Sequence, residues 1–278
     1  RVVWDRGSRR RYRFSVDDNI LFLRDLAQCP DNYPSLFDHW YLKLWRDMHK
    51  RYGTKVHINI YYSDGADFTL EQMPDRWRDE WRDNADWLRL SFHARADKPD
   101  RIYREATYEE LATDIARVHE QILRFAGPEV LPPWTTLHWA ECPREAAKAL
   151  RDAGYRGLII LARRPCETCT TMYYLGCEHC NHIVERDAWK DFDLDLLFVN
   201  CDMVVNSVAL PDIVPLLEQQ ESNPHTGELL ELLIHEQYFR QDLPRLYQYD
   251  VVLKVDTAIR FAHEHGYEPV FWSDELLP

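Results

Sequence analysis

The 278-residue sequence predicts an α/β fold: a distorted (β/α) barrel of seven or eight strands carrying a cysteine-rich insertion. Two observations lead there. Short apolar, strand-like runs alternate with helix-periodic segments from end to end, and a single break, residues 163–192, is rich in Cys, Arg and Thr. With no internal repeat and no long linker, residues 1–278 read as one domain with the insertion inside it.

The first strand spans 12–17, and a Trp/Leu/Phe-periodic helix follows near 34–52. Residues 55–62 (KVHINIYY) alternate with period two, and a charged, Trp-rich helix covers 70–84. A strand at 87–93 (WLRLSFH) precedes an amphipathic helix at 107–126. Residues 135–139 (TTLHW) form the fourth strand, a helix runs over 143–153, and 157–162 is a short buried strand. Residues 196–201 and 232–235 are strand-like, 249–265 is helical, and 269–272 closes the series.

Composition narrows the function. A net charge of −13 argues against a nucleic-acid backbone or an anionic membrane surface as the main partner. No apolar run reaches the roughly 20 residues of a membrane span. Seven cysteines do not read as a secreted disulfide framework, so a cytoplasmic location is expected. Ten tryptophans and fifteen tyrosines exceed the needs of a core and suit a carbohydrate-binding cleft.

The strand ends carry the chemistry. Asp17 and Asp18 end the first strand, His93 the third and His138 the fourth, while His235 and Glu236 end the seventh. Parallel barrel strands bring such ends to one face. Adjacent carboxylates raise one another's pKa unless a metal or a proton intervenes. His93 and Asp97, four apart, share a direction if the chain turns helically after the strand. With Asp18 they form a set of one imidazole and two carboxylates, suited to zinc or another divalent transition metal. Ala96-Asp97-Lys98-Pro99 also reads as a simple turn. Asp17 is then placed as general base and His235 as the group that protonates the leaving group. His57, mid-strand, reads as an interior hydrogen-bonding residue.

These residues resemble the polysaccharide deacetylase superfamily, the NodB-like barrel, over roughly 12–274. Phe14-Ser15-Val16-Asp17-Asp18-Asn19 is similar to its first motif, T/S-F-D-D-G, with Asn in place of Gly. His93-x-x-x-Asp97 resembles the second, H-x-x-x-H, with aspartate replacing the second histidine. Leu232-Leu233-Ile234-His235 is similar to the late L-x-x-H motif. The resemblance implies Asp17 as base, Asp18 as metal ligand and His235 as general acid. The third motif, R-x-P-Y, is absent, and Thr136-Leu137-His138-Trp139-Ala140-Glu141 stands in its place. That substitution suggests a different substrate-side wall of His138, Trp139 and Glu141, with Glu236 orienting His235 or binding substrate.

Cys166-x-x-Cys169 and Cys177-x-x-Cys180 are paired knuckles of the kind that hold tetrahedral zinc. A structural zinc is expected there, with residues 170–175 and 182–184 as a short hairpin. The leading expectation is a hydrolase using one divalent cation to remove an acyl group, N-acetyl first, from a carbohydrate. Two rivals stand beside it: a metal-free glycoside hydrolase pairing Asp17 with Glu141 or Glu236, and a non-catalytic sugar-binding protein.

Overall fold

The computed structural model describes residues 10–163 and 172–276. Among them are ten strands: β1 (Arg11–Asn19), β2 (Val56–Tyr61), β3 (Leu88–Ala94), β4 (Trp134–Thr135), β5 (Gly157–Ile160), β6 (Ala188–Asp191), β7 (Leu196–Asn200), β8 (Met203–Val204), β9 (Leu229–His235) and β10 (Glu268–Pro269). The α-helices are α1 (Leu21–Gln28), α2 (Trp40–Tyr52), α3 (Arg78–Asp83), α4 (Tyr108–Phe125), α5 (Arg144–Asp152), α6 (Cys177–Arg186), α7 (Ile213–Glu221), α8 (Val251–Glu264) and α9 (Trp272–Glu275). None of these helices is long and apolar enough to cross a membrane.

The strands form two sheets rather than one closed ring. Six strands run β3-β2-β1-β9-β8 with β10 against β1, and four run β4-β5-β7-β6. All ladders are parallel except β6 against β7. Among the described residues no ladder joins β3 to β4 or β7 to β8. The α/β class and the mainly parallel pairing hold, and among the described residues hydrogen bonds do not close a barrel. β4 is two residues long, so the fourth strand expected over 135–139 is cut short. Trp139 (φ 63°) and Ala140 (φ 49°) adopt left-handed backbone, which a strand cannot continue.

The strand faces divide by chemistry. On β1, Tyr12, Phe14 and Val16 join the main apolar core, as do Val56, Ile58 and Ile60 on β2. Leu88, Leu90 and Phe92 on β3 and Leu230, Leu232 and Ile234 on β9 do likewise. The alternate positions carry Arg13, Ser15 and Asp17, then His57, Asn59 and Tyr61, then Ser91 and His93, then Glu231 and His235, all paired to one another by hydrogen bonds or set among the same partners. Period-two alternation thus sends these side chains of four neighbouring strands into one polar interior. His57 lies there, with Nε2 2.8 Å from Ser91 Oγ, as its mid-strand position predicts. A second apolar cluster, including Trp134, Ile159, Leu233 and Trp272, fills the space between the two sheets.

Helix termini follow from local sequence. Thr107 caps α4: its hydroxyl accepts from Glu110 N at 3.2 Å and Glu110 returns to Thr107 N at 2.8 Å. The helix expected over 34–52 is split by His39, whose side chain caps α2 by accepting from Tyr41 N. Helix α1 was not expected from the sequence. Its start carries no side-chain cap of its own, and a distant carboxylate supplies one, as described below.

The cysteine segment departs from expectation. Residues 182–184 lie inside α6, so they are not the return strand of a hairpin. Cys166 and Cys169 lie outside the described residues. Cys177 is disulfide-bonded, and a sulfur so engaged is not a thiolate ligand, so the four-thiolate zinc gains no support.

Candidate metal centre

Asp17 and Asp18 both reach the mouth of the polar interior, which an unbroken strand would forbid because successive side chains point to opposite faces. The pairing of β1 with β2 shifts register between Val16 and Asn19, and Asp18 has φ 62°. Aspartate tolerates this left-handed conformation better than most residues. The kink swings Asp18 to the same side as Asp17. Asn19 then braces the turn, donating to Val16 O at 2.7 Å and to Asn59 O at 3.1 Å.

Asp18 meets two histidines. Asp18 Oδ1 lies 3.0 Å from His93 Nε2 and 3.2 Å from His138 Nδ1, and the two nitrogens are 3.2 Å apart. Three donors each about 2.0–2.1 Å from one cation stand about 3.0–3.4 Å from one another, so this triangle fits a zinc-sized ion. The outer nitrogen of His93, Nδ1, donates to Thr136 O at 2.5 Å, which fixes the ring and leaves Nε2 as the free donor.

Asp97 is not the third vertex. Its side chain is 59% exposed and its nearest approach is Oδ1 to His138 Nε2 at 3.7 Å. Alignment with His93 would need a helical turn after β3, and the chain there runs through bends instead. His138, expected as part of the substrate wall, takes the vertex, and Asp97 stands behind it.

The two aspartates part in acidity. Burial pushes Asp17 well above the ordinary carboxylate value, against a hydrogen bond from Asn59 Nδ2 to Asp17 Oδ1 at 2.5 Å. Burial would also raise Asp18, but hydrogen bonds from His138 and His93 outweigh it and hold Asp18 well below. Neighbouring groups pushed apart in this way suit one base and one permanent anion.

His235, at the end of β9 opposite Asp17 in the ladder, donates through Nδ1 to Asn206 Oδ1 at 2.9 Å. Burial lowers its pKa and the charge of Asp18 pushes it back up. Trp139 is 45% exposed beside His138, with the Arg101 guanidinium 5.0 Å from its ring centre. Glu141 is buried, with Oε1 paired to Arg101 and Oε2 without a hydrogen-bond partner among the described residues.

Glu236 has a different role from the one expected. Its carboxylate is fully buried and accepts from the backbone N–H groups of Ile20 and Leu21, both at 2.8 Å, and of Phe22 at 2.6 Å. It caps α1 and ties the exit of β9 to the exit of β1. No hydrogen bond among the described residues joins its carboxylate to the His235 ring.

Asn59, Tyr61, Gln237 and Asn206 surround the site and were not singled out in the sequence. Asn59 and Tyr61 follow His57 at steps of two in KVHINIYY, so the period that placed His57 inside would have found them. Asp202, another strand-end carboxylate, lies elsewhere: it accepts from Gln220 and from Glu231 N, and it lines cavities of about 530 and 660 Å³ that none of the triangle residues lines.

The fold has counterparts among solved structures. A protein from Mycobacterium smegmatis assigned as a polysaccharide deacetylase superposes with a TM-score of 0.57 at 14% identity, over 98% of this chain and 91% of that one. The fold is that of the polysaccharide deacetylases. A 4-alpha-glucanotransferase from Thermococcus litoralis also reaches a TM-score of 0.57, at 11% identity over 97% of this chain. This chain spans 40% of that enzyme. No family model matches the sequence, and no curated protein matches it. Fold alone therefore leaves acyl hydrolysis and glycosyl transfer both open, and the site must decide.

Proposed function

We propose that the protein is a metal-dependent hydrolase that removes an acyl group, N-acetyl in the first instance, from a carbohydrate. The observation that carries this reading is the Asp18–His93–His138 triangle, sized for a divalent cation and set beside a separately buried Asp17. A cation held there would act as a Lewis acid toward the acyl carbonyl and lower the pKa of a nearby water.

The chain's own residues supply the rest. Asp17 Oδ1 accepts from Asn59, which leaves the other carboxylate oxygen to take a proton from water. His235, oriented by Asn206, delivers a proton to the leaving nitrogen or oxygen. Burial lowers its pKa, which eases release of that proton, and the Asp18 charge offsets the shift only in part. Trp139 offers an exposed indole face for a sugar ring next to the triangle. Asp97, outside the triangle, would orient His138 rather than bind the cation.

The metal-free glycosidase reading is weakened: Glu236 is spent on three backbone N–H groups, and Glu141 is buried with Oε1 on Arg101. A sugar-binding protein without turnover remains the second reading, and the intact set of Asp17, Asn59 and His235 weighs against it.

The test is acetate release from N-acetylated chito-oligosaccharides and acetylated xylan, by metal-stripped protein before and after zinc or cobalt is restored. Restoration of turnover, and its loss in Asp17→Asn with metal content unchanged, is expected. Turnover indifferent to chelation, or full activity of Asp17→Asn, would overturn the reading.

A further inference from the structure

Asp18 is held from two directions that the triangle does not use. The Tyr61 hydroxyl, at the end of β2, donates to Asp18 Oδ1 and lies 3.0 Å from His138 Nδ1. Gln237, two residues beyond His235, donates through Nε2 to Asp18 Oδ2 at 2.7 Å. A carboxylate can only accept, so the amide must present its nitrogen there. The opposite atom, Gln237 Oε1, is buried and has no hydrogen-bond partner among the described residues. An unsatisfied buried acceptor is destabilising, and keeping Nε2 on Asp18 accounts for it.

The Asp18 backbone makes this bracing necessary. With φ 62° at a register shift, its carboxylate projects from a kink, and the ladder does not set its rotation. We propose that Tyr61 and Gln237 are positioning residues that lock the Asp18 carboxylate as a one-oxygen ligand, with Oδ1 toward the cation and Oδ2 held off it. This rests on the metal-binding reading of Asp18, His93 and His138. It adds a consequence for selectivity. A cation content with one carboxylate oxygen and two imidazoles, such as zinc or cobalt, is favoured over calcium, which takes more oxygen ligands and accepts bidentate carboxylates.

The experiment is calorimetric titration of metal-stripped protein with Co²⁺ and Ca²⁺, together with the visible spectrum of the cobalt form. It uses wild type, Tyr61→Phe, Gln237→Leu and a His93→Ala control, each also unfolded in urea without metal. For each bracing variant we expect cobalt affinity to fall about 10–100-fold. In Gln237→Leu the cobalt spectrum should shift toward higher coordination as Asp18 Oδ2 is released, and the metal-free urea midpoint should be kept in at least Tyr61→Phe. Cobalt affinity within twofold of wild type and an unchanged spectrum in both variants would overturn the bracing role. Wild type binding cobalt no better than His93→Ala would overturn the metal reading itself, a result distinct from failure of the brace.

Discussion

The Asn59 side-chain amide donates to Asp17 Oδ1 at 2.5 Å, and its own oxygen accepts from Ser91 Oγ at 2.5 Å and from Thr135 Oγ1 at 3.2 Å. Two donors fix the amide, and the amide fixes the aspartate. Asn59→Ala should lower kcat for acetate release roughly 100-fold through misplacement of the base. Cobalt affinity should stay within threefold of wild type, because the triangle is untouched. A matching loss of affinity would place Asn59 with the metal donors instead.

Replacement of the two candidate third donors separates them. His138→Ala should lose metal from the isolated protein, measured by elemental analysis, while Asp97→Ala should retain it. Retention by His138→Ala and loss from Asp97→Ala would restore the pattern of His93 and Asp97 four residues apart.

Glu236→Ala strands three buried backbone N–H groups at the start of α1. At roughly 1–3 kcal/mol for each unsatisfied group, partly relieved by water, a loss on the order of 3 kcal/mol is expected in urea unfolding. Glu236→Gln keeps an acceptor oxygen and should lose less. An unaltered midpoint in Glu236→Ala would remove the capping role.

His119 on α4 is half-buried, and desolvation lowers its pKa from an ordinary 6.5 to about 4; its Nε2 lies 2.8 Å from Tyr155 Oη. Between those values the unfolded chain binds the proton and the folded one does not, so stability falls as pH drops from about 6.5 to about 4. The shift corresponds to on the order of 3 kcal/mol at most. Urea midpoints measured from pH 7 to pH 4 should decline, and His119→Gln should flatten the decline. An equal slope in both proteins would show the acid loss to arise elsewhere.

Gly157 begins β5 directly beneath the Trp134 ring: a β-carbon there would lie 2.1 Å from ring atoms, with both residues buried. Gly157→Ala should cost about 1–3 kcal/mol by overpacking. Thermal unfolding reads this directly, and an unchanged Tm would mean that Trp134 can move aside.

The sequence by itself determined the α/β class, the ends of the first, third and late strands, and most of the residues that meet there. Asp17, Asp18, His93 and His235 are legible because parallel strands carry their last residues to one face wherever the crossovers lie, and His138 follows three residues beyond β4. Tertiary structure decided which atoms meet. Sequence spacing put Asp97 beside His93, but that spacing has meaning only on a helix, and the chain there is not helical. Residue 138 reached the vertex through a left-handed turn at Trp139 and Ala140, which no local pattern announces. Glu236 lay at the right strand end but turned toward the unsatisfied N–H groups of a helix 215 residues away in sequence, whose existence the sequence did not signal. Local propensity fixes periodicity and faces. Which buried donor finds which buried acceptor is fixed only when the whole chain has closed around them.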